Sequence, residues 1–153
     1  MTGIGVHDGR NRCSASAESV FTLKRNECSR WAGIRKKLAS RLNEVIPAGF
    51  QASPIEDGIW LDAPDGYGML QWAGHMDEDP LDLDLYRQAG IRVLDGFQDC
   101  VSMTHREIWP MAAYGAGHRM AMPGGKIEGT VLRLWYGDAA SPVVSLGDID
   151  LDV

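Results

Sequence analysis

The sequence is short of nearly every signature that would assign a reaction. It has no G-x-S-x-G nucleophile elbow and no G-x-x-x-x-G-K-[ST] phosphate loop. None of its four histidines, His7, His75, His105 and His118, stands at the H-x-x-x-H spacing that puts two metal ligands on one helical face. No apolar run approaches the ~20 residues of a membrane-spanning helix. The stretch from Met1 to Ser16 carries Arg10 and Arg12 with no apolar run behind them, so a secretory signal is not expected either. The expectation is therefore a soluble, cytoplasmic chain. Cysteine is scarce and odd in number: Cys13, Cys28 and Cys100, with no C-x-x-C pair. That pattern argues against a disulfide framework and a zinc knuckle, and it places Cys100 in the core as a reduced thiol.

What is present is enough apolar material to fold. Of 153 residues, 44% are apolar and 24% charged, so burial can offset the entropy of ordering one domain. Residues 1–17, rich in Gly, Ser, Arg and Asn without periodicity, read as a flexible leader, and 18–153 as a single domain. The net charge of −6 is unevenly spread. Residues 1–46 hold nine Lys/Arg against four Asp/Glu, a net of +5; residues 47–153 hold six against seventeen, a net of −11. A basic first helix and an acidic remainder either attract one another inside the fold or show two faces to a partner.

Periodicity predicts the elements. Trp31, Ile34, Leu38, Leu42 and Val45 recur at helical spacing and stop near Ile46, before Pro47. Three β-type runs follow, Phe50 to Pro54, Ile59 to Ala63 and Met69 to Ala73, with turns at Asp57-Gly58 and Asp65-Gly66, so a three-stranded meander is expected. A second helix carries Val93, Phe97, Val101 and Ile108 on its stripe, weakened by Gly90 and Gly96, and is expected to run to Trp109. Pro123-Gly124-Gly125 and Glu128-Gly129 read as turns, Thr130 to Tyr136 as the best strand, and Val143 to Leu146 as its partner. The expectation is an α+β fold with two helices on one face of a five- or six-stranded antiparallel sheet. Similar helix endings and hairpin openings raise a duplicated α-β-β(-β) unit, residues 26–85 and 86–153, against chance matches in an alphabet rich in Ile, Gly, Glu and Pro.

The candidate chemistry is thin. Asp77, Glu78, Asp79, Asp82 and Asp84 form a dense carboxylate cluster, but counted as an EF-hand its sixth position is Asp82 instead of Gly and its twelfth is Gln88 instead of Glu. A solvated loop that caps the second helix is the better reading. Asp148, Asp150 and Asp152 alternate along an extended tail, the pattern of a protected edge strand, and would also suit a basic partner. No cofactor and no metal are expected. His105, Glu107 and His118 are the residues an enzymatic pocket would use. The acidic remainder argues against nucleic acid. Trp60 and Trp135 oppose the apolar faces of their strands and so fall on the open side of the sheet, where tryptophan commonly anchors interfaces. The expected function is a non-catalytic domain binding a basic partner protein, of inhibitor, immunity or secretion-chaperone type. The partner contacts would be Trp60, Trp135, Asp77, Glu78, Asp79, Asp82, Asp84, Asp148 and Asp150. A small-molecule or enzymatic pocket between sheet and helices, and a homodimer through the open face, are the alternatives.

Overall fold

A computed structural model describes residues 21–56, 58–72, 82–114 and 117–151. The expected leader, Asp77, Glu78, Asp79 and Asp152 lie outside them. The order is α1 (Phe21–Asn43), β1 (Gln51–Ile55), β2 (Gly58–Asp62), β3 (Gly68–Trp72), α2 (Leu83–His105), β4 (Met111–Tyr114), β5 (Gly117–Met120), β6 (Pro123–Glu128), β7 (Val131–Asp138), β8 (Ser141–Ser145) and β9 (Ile149–Asp150). The α+β class holds, with every strand pair antiparallel. The single five- or six-stranded sheet does not. Among the described residues there are three sheets: β1-β2-β3, the hairpin β4-β5, and a four-stranded sheet in which β7 pairs β6 on one side and β8 and β9 on the other.

The reason lies in how the helices are shared. α1 packs on β1 and also on β9; α2 packs on β3 and also on β6 and β7. Each helix thus bridges the first and third sheets, which meet through helices and not through a strand ladder. The glycines that weaken α2 are its contact points. A Cβ at Gly90 would stand 2.8 Å from Leu134 Cδ1 of β7, and one at Gly96 would fall on the Gln71 amide of β3. Helix propensity is given up there so that both sheets can approach. The resulting core runs continuously from Trp31, Ile34, Leu38 and Leu42 of α1, through Ile59 and Leu61, to Phe97, Leu132, Leu134 and Tyr136. Among the described residues, no helix is long and apolar enough to cross a membrane.

Helix ends depart from expectation for identifiable reasons. α1 stops at Asn43, three residues short of Ile46, because the Asn43 amide turns to β1. It donates to the Ala52 carbonyl (2.8 Å) and accepts from the Ala52 N–H (2.7 Å). α2 stops at His105, not at Trp109. Arg106 takes the left-handed conformation (φ 56°) and donates its N–H to the Ser102 carbonyl. Such a cap is usually glycine, so an arginine there gives no signal in the sequence. Ile108 consequently leaves the apolar stripe and is exposed.

β6 is the second correction. Pro123-Gly124-Gly125 is strand and not turn, paired along its length with β7. Its glycines are spaces for neighbours: a Cβ at Gly125 would meet Leu134 Cδ2 at 2.7 Å, and one at Gly124 the Trp135 indole nitrogen at 2.7 Å. Among the described residues, three antiparallel strands follow α1 and six follow α2.

Tyr136 ties β7 to α2. Its hydroxyl donates to the Leu94 carbonyl at 2.6 Å, and the ring meets Trp109 edge-on at 5.2 Å. Burial pushes its pKa well above the ordinary 10.0. The folded state therefore holds this proton more tightly than the unfolded chain. The stability it lends is whole below pH 10 and falls as the unfolded phenol ionises above it. In an alkaline titration followed at the phenolate absorbance, wild type and Tyr136→Phe should superimpose until the protein unfolds. A difference between them in the folded range would contradict the buried, protonated phenol.

Candidate functional site

Alternation along the strands sorts each sheet into an inner and an outer face. In the first sheet Ala52, Ile59, Leu61 and Gln71 are buried inward. The outer face carries Ser53, Trp60 and Leu70 in one cross-strand row, with Ile55 beside it. Trp60 is half-buried because its indole lies across the diagonal neighbour Gly68, where a Cβ would come within 2.0 Å of Cζ2, and because its Nε1–H donates to Asp62 Oδ1 at 2.9 Å. Leu70 is 43% exposed and Ile55 38%. Asp62 is exposed at the edge of this apolar centre, and Glu56 and Asp65 are exposed in the turns at the two ends of the sheet. The chain from 51 to 72 contains no Lys or Arg at all.

The glycine seat fixes the indole. In Gly68→Ala the new methyl would displace Trp60 and forfeit the cross-strand contact, a loss of about 0.2–1 kcal/mol. The expected sign is a moved and less protected Trp60 indole N–H resonance.

The outer face of the third sheet is different in kind. Trp135, also half-buried, lies over Gly124. Beside it Lys126, Glu128, Arg133 and Asp148 form a chain of ion pairs: Lys126–Glu128 at 2.5 Å, Arg133–Glu128 at 2.5 Å and Arg133–Asp148 at 3.0 Å. The hydrogen bond from Lys126, with Arg133 beside it, holds the Glu128 carboxyl below its usual range. This face satisfies itself.

The basic first helix is tied to the acidic remainder through backbone carbonyls. From α1, Arg35 donates to the Glu56 carbonyl, Lys37 to that of Asp150 (2.9 Å) and Arg41 to that of Asp148 (3.3 Å). Asp148 is thus held through both its carbonyl and its carboxylate, and the Asp150 carbonyl is bound by Lys37. Of the acidic cluster, Asp82 is the cap of α2, accepting from the Asp84 N–H, and Asp84 pairs with Arg87 and Gln88. The Arg87 contact first, then Gln88, lowers the Asp84 carboxyl.

Of His105, Glu107 and His118, Glu107 is the one found in the lining of a described cleft. Glu107 lines a shallow cleft of about 370 Å³ together with Asp99, Ser102, Met103, Arg106, Ile108 and Met120. The His105 ring packs against Phe50 at 5.3 Å, tilted by 39°, and His118 stands on β5 opposite Ala113. Cys100 is buried in the core, where burial pushes its thiol pKa up, away from nucleophilic use at neutral pH. Among the described residues, no group of three or more His, Cys, Asp or Glu is placed to hold a metal ion. The feature that sequence reasoning missed is this cleft and the exposed methionines around it. Their clustering depends on the early end of α2 and on the β4-β5 hairpin, neither of which the periodicity showed.

Comparison with protein-family models, with curated proteins and with solved structures returned no match.

Proposed function

We propose that this chain is a non-catalytic protein-binding domain, of inhibitor or chaperone type, that engages a basic partner through the outer face of the first sheet. The observation that carries the reading is the composition of that face. Ile55, Trp60 and Leu70 form an apolar centre with Asp62 at its edge, in a stretch that also carries exposed Glu56 and Asp65 and no basic residue. Interfaces commonly join a desolvated centre holding an aromatic anchor to a polar rim, and a rim of one sign speeds encounter with the opposite sign. Trp60 is already seated on Gly68 and hydrogen-bonded to Asp62, so binding would cost little of its rotamer freedom. The third sheet serves less well, since its outer charges are paired with one another.

Placing a photo-cross-linking amino acid at position 70, and separately at position 126 on the third sheet, tests this in the native cell. A heterologous protein with a Lys/Arg-rich surface, captured from 70 and not from 126, is the expected result. Capture of a second copy of this chain at 70 would replace the reading with a homodimer. Capture at 126 alone, or at neither position, would overturn it.

A further inference from the structure

Three of the described methionines, Met103, Met111 and Met122, stand largely in solvent. Four of the seven fall between residues 103 and 122. Met103 is 72% exposed, Met122 64% and Met111 50%, while Met120 is partly buried. A thioether in solvent contributes little to a core, but it is a soft, polarizable ligand.

The β4-β5 ladder gathers two of these thioethers with an imidazole. Met111 stands opposite Met120, and Ala113 opposite His118. One step further along, the Ala121 N–H donates to the Pro110 carbonyl at 2.9 Å. With 110/121 as the hydrogen-bonded pair, alternation makes Met111/Met120 and Ala113/His118 non-hydrogen-bonded pairs. In such pairs opposite side chains approach most closely, and all four residues share one face. His118 and Met111 are then diagonal neighbours, a separation of about 7–8 Å that long side chains span. From the other side, Met103 of α2 lines the same cleft as Met120, with the carboxylates of Asp99 and Glu107 also in its lining.

We infer that this face is a binding site for a soft monovalent metal ion of the copper(I) class, with the thioethers of Met111, Met120 and Met103 and the imidazole of His118 as ligands. Neutral sulfur and nitrogen donors suit a polarizable d¹⁰ ion, whereas hard cations such as Mg²⁺ and Ca²⁺ require a shell of oxygen ligands. Asp99 and Glu107, set against the single cation Arg106, leave the cleft lining one negative charge with which to compensate the ion without ligating it. The ion enters and leaves in one oxidation state, so no electron transfer is involved.

Silver(I), a redox-inert ion of the same charge and softness, is the probe. It is titrated in chloride-free buffer into the full chain carrying ¹³C-labelled methionine methyl groups. The methyl resonances of Met103, Met111 and Met120 should move and saturate at one equivalent, while that of Met69, on the inner face of the first sheet, stays in place. The volume-conserving pair M111L and M120L, in one chain, should abolish the saturating response at Met103. If that double variant fails to fold, H118A, at an exposed strand position, must weaken the wild-type titration. Unmoved resonances at Met111 and Met120, a Met103 response that survives in the folded double variant, or an H118A titration equal to wild type would each overturn the site. Unmoved methyl groups would leave the exposed methionines as an apolar docking patch.

Discussion

Phe97→Ala is expected to cost about 3–5 kcal/mol of unfolding free energy, the range for truncating a fully buried phenylalanine. Phe97 is 0% exposed on α2, among Val93, Leu94 and Val101, which are buried as completely. α2 is the helix that holds β3 against β6 and β7. A cavity at its centre therefore cannot be filled by moving one sheet without disturbing the other, so relaxation should be small and the cost high. Domains of this size have only about 5–15 kcal/mol in hand, which makes the loss a large share of the total. Urea unfolding should show a much lower midpoint at unchanged slope. Phe97→Leu should be milder, and Met103→Ala, on an exposed turn of the same helix, should stay within about 0.5 kcal/mol of wild type. Equal losses at 97 and 103 would mean that α2 does not carry the core.

Leu70→Arg is expected to weaken partner binding by about 2 kcal/mol or more, roughly thirtyfold, the scale of a residue at the centre of an interface. The substitution removes an apolar contact and sets a positive charge where a basic partner would have to dock, so two unfavourable effects act together. Leu70 is 43% exposed and faces away from the buried Leu61 and Ile59, so the fold should survive the change. Titration calorimetry with the protein captured at position 70 measures the affinity, and circular dichroism confirms the fold. Lys126→Glu on the third sheet should leave the affinity unchanged. Asp62→Asn and Asp65→Asn should lower mainly the association rate and its dependence on salt. An unchanged affinity in a folded Leu70→Arg chain would remove the first sheet from the interface.

Much of the fold is legible where a repeating pattern meets an unambiguous stop. The stripe from Trp31 to Leu42, the Asp65-Gly66 turn and the alternation from Leu132 to Tyr136 each depend on residues close in sequence, and each is found. What escaped depends on residues far apart. Gly124 and Gly125 read as a turn because nothing nearby shows that Trp135 and Leu134 fill the space their side chains would occupy. Arg106 reads as one more helical residue because the left-handed cap is decided by Ser102 and the path to Trp109.

The same division runs through the candidate site. The acidity of residues 51–72 and the outward position of Trp60 follow from composition and a period of two, so the sequence by itself determined them. Whether a charge is available did not follow, because that depends on which groups folding brings within reach. Asp148 stood out on its spacing, yet in the tertiary structure it pairs with Arg133 and its carbonyl accepts from Arg41. Asp62 attracted no notice in the sequence, yet it is exposed at the edge of the apolar centre and accepts from the Trp60 indole. Local pattern settles which way a side chain faces, since strand geometry alternates from one residue to the next. Only long-range packing settles what it meets there.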